Sequence, residues 1–533
     1  MMTALIILLT AAALAAAEWK WGILRLCYDK SRTSHRALAL AAVLICLLCV
    51  PLFLGGLADA REDIPYPLEH TAAHYNPYIE QFDAFMKGQL HIDYEPDPRL
   101  AALDDPYDYF ARSDSGAYYL WDRALYDGKY YSYFGIAPIV TFYYPYYLTH
   151  GALPGDSTVM AFFLMLTALF LPLALFEWAG ISERRVPLVP LLLSAPALVL
   201  SSGALLAARG VNHFYYIAVI AGMAFLSAFL FFALAAYNAK RTAPRILLYV
   251  AAGAAFALLF HSRLNIALLC AFLVIPGLWF MIIRRPGDAR PARVIIGELA
   301  ALGTPVAAAL CFSFWFNAAR FSGPLDFGTN YQLTVANVAT YKLRLSDLPF
   351  AIYNYFLAPA EACETYPYIT FTRLGTAPTD HYIYRDANLG LFCLPLTLGI
   401  LAAPITVFRS GNTARRRTMA GAAFLGIVAL AWVNFCKGGV IYRYTLDLAA
   451  VAAFLSVALL LPVAGDAVSG TAGEERPRVR GWLIYAAICA FLLISIAGAL
   501  RVSLINGHSY ISAISEEVLE ILERFLPFPG GTP

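Results

Sequence analysis

The stretch that decides the fold is Lys129-Tyr130-Tyr131-Ser132-Tyr133-Phe134-Gly135-Ile136-Ala137-Pro138-Ile139-Val140-Thr141-Phe142-Tyr143-Tyr144-Pro145-Tyr146-Tyr147-Leu148-Thr149-His150. Seven Tyr and two Phe fall in it, where the chain-wide aromatic share of 14% gives about three. The stretch is long enough to cross a bilayer, and if it did, every later loop would change sides. Pro138 and Pro145 interrupt it, and Tyr prefers the headgroup level to the hydrocarbon. We therefore expect a helix over 129–150 lying in the outer interface.

Composition sets the surroundings. Hydrophobic residues make up 60% of the 533, charged residues only 14%, and the mean hydropathy is +0.63. Soluble domains carry roughly a quarter charged residues, so this is an all-α polytopic membrane protein. The net charge is +2 and the 38 basic residues are scattered, which leaves nucleic acid no electrostatic footprint. Most of the nine Cys lie in apolar segments and form no zinc-like pattern, so they read as small hydrophobes.

Twelve mainly apolar segments recur, at 2–22, 37–57, 157–178, 188–206, 213–237, 246–260, 264–283, 294–316, 389–408, 418–435, 440–462 and 481–500. The expectation is about 12 transmembrane helices, within a range of 10 to 13. The first lacks a basic n-region and runs on through Glu18-Trp19-Lys20-Trp21, so it reads as an uncleaved helix. Segments 20–36, 181–187, 238–245, 284–293, 409–417 and 463–480 hold 21 of the 38 Lys/Arg, whereas the short loops opposite hold Arg209, Arg263, Lys437 and Arg443. By the positive-inside rule the first set is cytoplasmic. The chain then divides into two N-terminal helices (1–57), a first outer loop with juxtamembrane helices (58–156), a helical bundle (157–316), a second outer loop (317–388), C-terminal helices (389–500) and an outer-face amphipathic tail (501–533). The expected location is the plasma (inner) membrane.

The first outer loop carries 16 of the 36 acidic residues, more than a linker needs. Within it Asn76, Glu80, Asp83 and Lys87 share one helical face and Ile79, Phe82, Phe85 and Met86 the other, which predicts an amphipathic helix whose polar stripe faces an aqueous cleft. Near the C-terminus, Ile511, Ile514, Val518, Ile521, Leu522 and Phe525 alternate with Glu516, Glu517, Glu520 and Glu523 at helical spacing. No Walker loop, GxGxxG, HExxH, GxSxG or EF-hand pattern is present. His70 and His74 beside Glu69 have metal-ligand spacing without a third ligand, and read as a satisfied polar pair.

The order of these features resembles the GT-C superfamily of multi-span glycosyltransferases, in a bacterial branch. The resemblance rests on Tyr75-Asn76-Pro77-Tyr78, on Asp83-Ala84-Phe85-Met86-Lys87-Gly88-Gln89-Leu90, and on Gly128-Lys129-Tyr130-Tyr131 leading to Pro138. His261-Ser262-Arg263-Leu264-Asn265 is similar to the family's Ser-Arg element, and Tyr442-Arg443-Tyr444-Thr445-Leu446-Asp447 to its late Arg-Tyr element. It implies a polyprenyl-phosphate-linked sugar as donor, membrane lipids around it, and an envelope glycan, lipid or protein as acceptor. No cofactor is predicted, and a divalent metal is left open. The family's acid position falls near His74 here, which carries no carboxylate.

Such a transfer needs a carboxylate base, cations for the leaving phosphate and an apolar groove. For the base the order of expectation is Glu69, Asp83, then Asp63 and Glu80. Asn76, Lys129, Arg263, Lys437, Arg443 and Asp447 are the expected substrate-binding residues. Arg443 and Asp447, four apart, also read as a mutually neutralising pair. The rival class is a secondary transporter or flippase of an amphiphile, kept in view by Glu298, Arg443 and Asp447. A third is a non-catalytic scaffold in envelope assembly.

Overall fold

The computed structural model describes residues 22–55, 63–68, 75–210, 214–285, 290–372, 379, 381–468, 479–509 and 511–528. The 2–22 segment, apart from its last residue, and Glu69, His70 and His74 lie outside them. Among the described residues ten helices are long and apolar enough to cross a membrane. The helices used below are α1 (Thr33–Gly55), α2 (Pro77–Met86), α3 (Tyr144–His150), α4 (Asp156–Ile181), α5 (Leu188–Ser201), α6 (Phe214–Asn238), α7 (Thr242–Phe260), α8 (Leu264–Gly277), α9 (Ala292–Ala318), α10 (Ala414–Gly438), α11 (Tyr442–Val468), α12 (Val479–Ser503) and α13 (Glu516–Phe525).

The apolar segments at 389–408 and 129–150 depart from simple helices. At 389–408 the chain forms 3-10 turns at Leu391–Cys393 and Pro395–Leu401 before a short α-helix, Ala402–Phe408. A 3-10 turn rises about 2.0 Å per residue against 1.5 Å in an α-helix, so Pro395–Phe408 still covers about 25 Å. At 129–150 the expected helix is shorter, because Lys129–Tyr131 is a strand. Strand β2 (Ala124–Tyr126) pairs antiparallel with β3 (Lys129–Tyr131), after a first strand β1 (Ile64–Pro65) that pairs with β4 (Ala152–Leu153). The two-residue turn is Asp127-Gly128, with φ 47° and 67°. Asp-Gly is the pair that tolerates two left-handed residues, and the β-prone Tyr130 and Tyr131 extend the hairpin. Helical structure resumes as a π-turn at Ile139–Tyr143 and continues into α3, where Pro145 lacks the N–H that would close an α-turn.

Two helices form the centre. α6 and α11 are the most deeply buried of the ten, with α4 and α7 packed on α6 and α10 and α12 on α11. Outer helices show bare apolar side chains, such as Leu40, Leu44 and Leu48 on α1 and Leu483, Leu493 and Ile494 on α12. In water such surface would drive association, whereas hydrocarbon covers it without cost.

The first loop is anchored to the bundle and to the second loop. The Ala137 N–H donates to the His261 carbonyl at 3.0 Å, and a Cβ on Gly135 would sit 2.0 Å from that same oxygen, so only glycine lets the chain pass. Asp122 N–H donates to the Leu333 carbonyl (3.0 Å) and Leu333 N–H to the Arg123 carbonyl (2.9 Å), which ties residues 122–124 to the second loop. At the C-terminal end α13 forms where amphipathic spacing placed it, with Ile514, Val518 and Leu522 packed against Tyr366 and Leu504.

Candidate functional site at the N-terminal ends of three helices

Arg263, Tyr215 and Arg443 stand at the starts of α8, α6 and α11, and the fold brings these starts together. Arg263 occupies the position just before α8, and its side chain forks onto Asp447, one turn into α11, with Nε–Oδ1 and Nη2–Oδ2 both 2.9 Å. A Cβ on Gly222 of α6 would meet the Arg263 Cβ at 2.7 Å, so the glycine lets the arginine cross the helix face. Asn265 donates to Asn434 at 2.9 Å and lies 3.5 Å from the Asp447 Oδ2. The neutralising pair expected between Arg443 and Asp447 is therefore not the one formed. Asp447 is fixed by a two-pronged partner from another helix, a geometry that suits guanidinium and carboxylate better than the i,i+4 spacing does.

Arg443 is left differently. Its guanidinium lies over the Tyr215 ring at 4.5 Å and the Tyr444 ring at 5.3 Å, and among the described residues it has no carboxylate in ion-pair range. Other buried arginines serve as staples: Arg209 donates to the carbonyls of Ser503, Ile505 and Ser512, and Arg112 to those of Pro106 and Thr334. Arg443 also sits where the positive end of the α11 dipole opposes it. A guanidinium placed there with tyrosines rather than a carboxylate around it, the Tyr444 hydroxyl among its partners, favours an arriving anion.

Across Tyr215 lies Asp122. The Tyr215 hydroxyl donates to the Asp122 carboxylate, and Tyr133 has Asp122, Tyr215, Tyr444 and Arg443 as electrostatic neighbours. Burial, and then the Asp122 charge, push the Tyr133 phenol well above its ordinary value. Asp122 is 7% exposed and holds φ at 54°, a left-handed conformation that Asp tolerates but does not prefer. The backbone bonds to Leu333 hold it there. Tyr133 stacks on Phe134 at 4.7 Å, and Phe134 meets Tyr78, Phe214 and Tyr215, which completes an aromatic wall.

The carboxylates singled out in the sequence take other positions. Glu80 is fully buried and grips Arg123 at 2.6 and 2.7 Å. Burial works against the Arg123 charge, but the Glu80 carboxylate outweighs it and its pKa lies above the ordinary value. Asp83 pairs with Lys87 (2.9 Å) and accepts from Tyr66 (3.2 Å), and burial followed by this carboxylate pushes the Tyr66 phenol up to about 12. Asp63 accepts from Tyr146 at 2.9 Å on the exposed surface. Glu69 lies outside the described residues.

Asn76 caps α2 through the N–H groups of Tyr78 and Ile79 and donates to Asp156 at 2.5 Å. The polar stripe of α2 thus meets protein rather than an open cleft, since residues 77–84 are all buried. Lys129 is exposed beside the hairpin turn, and Lys437 donates to the Tyr341 carbonyl. The cluster therefore gathers Arg263, Arg443 and Asp447, and adds Asp122, Tyr133 and Tyr215. Asp122 was one acid among sixteen in its loop; its sequence signal is the apolar flank of Leu120, Ala124 and Leu125, which marks a buried carboxylate. Among the described residues no three His, Cys, Asp or Glu side chains are grouped to hold a metal.

No protein-family model matches the chain, and no curated protein matches it. Among solved structures, the apo crystal structure of the Archaeoglobus fulgidus oligosaccharyltransferase is similar to it with a TM-score of 0.44 and 12% identity. The match covers 92% of this chain, which spans 58% of the length of that protein.

Proposed function

We propose that the chain is an integral-membrane glycosyltransferase of GT-C type, which transfers a sugar from a polyprenyl-phosphate carrier to an envelope acceptor at the outer membrane face. The observation that carries this reading is the placement of Arg443, which has no carboxylate partner among the described residues, and the Asp122 carboxylate on either side of one tyrosine. Asp122 takes the proton of an acceptor hydroxyl as its oxygen attacks the anomeric carbon. The bond from that carbon to the phosphate oxygen breaks, and the electron pair leaves with the polyprenyl phosphate. Arg443 and the N-terminal ends of α6, α8 and α11 meet that charge. Tyr215 orients the carboxylate, and the Arg263–Asp447 pair fixes the start of α11. Exposed Val140, Tyr144 and Leu148 on the aromatic helix offer the lipid tail an apolar face.

A transporter would place unpaired charge along a central path. Of the three residues that kept that reading in view, Glu298 is instead buried against Arg245 (3.1 Å) and Arg290 near the basic loops, and Asp447 is paired with Arg263. The deciding experiment incubates purified full-length protein with labelled polyprenyl-phosphate sugars and acceptor lipids. Release of polyprenyl phosphate coupled to acceptor labelling, lost in Asp122→Asn, is the expected result. Undiminished transfer by that variant would remove the proposed base.

A further inference from the structure

A cavity of about 260 Å³ lies not at the cluster described above but at the opposite ends of the central helices, beside the basic loops. Trp178, Phe229, Leu273, Phe280, Phe454 and Leu459 are among its walls. It follows α11 from Val451 to Pro462, about 16 Å at 1.5 Å per residue, so it is long and narrow. Part of its wall is the π-helical turn Leu278–Ile283 that extends α8, a widened turn of the kind found where helices accommodate something. An empty apolar space of this size forgoes dispersion contacts on every wall, and within a bilayer the available filler is hydrocarbon.

Its mouth is charged in one sense. Arg184, Arg415 and Arg416 line it against a single carboxylate, Glu183. Arg415 is held by Glu183 at 2.8 Å and Arg184 by Asp466 and Asn412. Arg416 has no such partner among the described residues: its Nη2 lies 3.4 Å from the Leu459 carbonyl, and its Nε is buried without a hydrogen bond. We infer that this cavity holds one acyl chain of an anionic phospholipid, with the lipid phosphate on Arg416. An uncharged lipid would fill the apolar space but bring Arg416 no anion, a zwitterionic one would bring its own cation to a mouth already lined by three arginines, and a small anion would satisfy Arg416 but leave the apolar space unfilled. The site is separate from the Asp122 cluster, and the inference stands whatever reaction that cluster performs.

The test uses full-length protein, delipidated in detergent and offered dioleoylphosphatidylglycerol or dioleoylphosphatidylcholine, with bound lipid counted by native mass spectrometry. Wild type is expected to retain the anionic lipid roughly fivefold better, the effect of one cation near a lipid headgroup. Arg416→Gln should abolish the preference, Arg416→Lys should keep most of it, and Ala458→Phe, which fills the cavity, should lower retention of both lipids. A second measurement, which leaves Arg416 and Ala458 intact, uses phosphatidylglycerol with brominated chains, which should quench Trp178, read as the difference between wild type and Trp178→Phe. Equal retention of the two lipids by wild type, or absence of Trp178 quenching, would overturn the inference.

Discussion

Arg263 and Asp447, separated by 184 residues, meet in a two-pronged contact of 2.9 Å on each arm, with the Asp447 side chain fully buried. Breaking a buried pair from one side leaves a charge without its partner, at a cost of about 3 kcal/mol or more. Asp447→Asn and Arg263→Gln should each lower the thermal midpoint in detergent. The double substitution should cost less than the sum of the two, as a double-mutant cycle would read. Additive losses would mean that the two side chains do not act as a pair.

Asp122, the proposed base, and Glu80, the buried partner of Arg123, should respond differently to loss of charge. Asp122→Asn should reduce sugar transfer by roughly a hundredfold or more, with the melting temperature nearly unchanged. Glu80→Gln strands the buried Arg123 and should lower stability by about 3 kcal/mol. Melting curves alongside single-turnover transfer separate the two; a stable, fully active Asp122→Asn would reassign the base.

Arg443 should act on the phosphate. Arg443→Gln should depress kcat by roughly a hundredfold, the scale of losing one charged stabiliser of a developing anion. Arg443→Lys keeps the charge without the planar fork and should recover only part of it. If both variants lose activity only through a raised KM, Arg443 serves binding alone.

His261 makes the turn before Arg263 sensitive to acid. Burial holds its pKa below the ordinary 6.5, against a smaller opposing effect from the Ala309 carbonyl, and its Nε2 lies 3.2 Å from both that carbonyl and the Ser313 hydroxyl. The unfolded chain therefore takes up a proton first as the pH falls. The stability that neutral His261 supports is complete above pH 6.5 and declines as the pH drops through the lower folded value. Melting temperatures of wild type and His261→Gln should converge on acidification, because only wild type loses this contribution; parallel curves would contradict it.

The long helices were legible because a bilayer demands long apolar runs: the segment expected at 157–178 is α4, longer by four residues, and that at 213–237 is α6, shifted by one. Short-range geometry was less legible. Nothing in the aromatic composition of 129–150 announced a strand at Lys129–Tyr131, since the decisive signal was the preceding Asp127-Gly128 turn. Arg443 and Asp447 looked like partners at helical spacing, yet the partner of Asp447 is on another helix. Charges on α2 looked solvent-facing because their apolar neighbours formed the opposite stripe, whereas the hairpin and Tyr66 cover the polar side. Asp122 was hidden for the same reason: its value comes from Tyr215 and Leu333, both remote in sequence.

The long separation between Arg263 and Asp447 also sets an order on biogenesis. α8 leaves the ribosome with an arginine at its head and reaches the insertion machinery before its counter-charge exists, because α11 follows 184 residues later. Until then the nascent intermediate carries an unmatched guanidinium at the bilayer edge, a position tolerated chiefly by reaching toward the headgroups. Charge balance therefore arrives near the end of synthesis, and a chain halted after α10 bears a visible mark of incompleteness. Such a truncated chain should be cleared faster in cells than the same fragment carrying Arg263→Leu, as pulse-chase labelling would measure; equal half-lives would show that the stranded charge is not what is read.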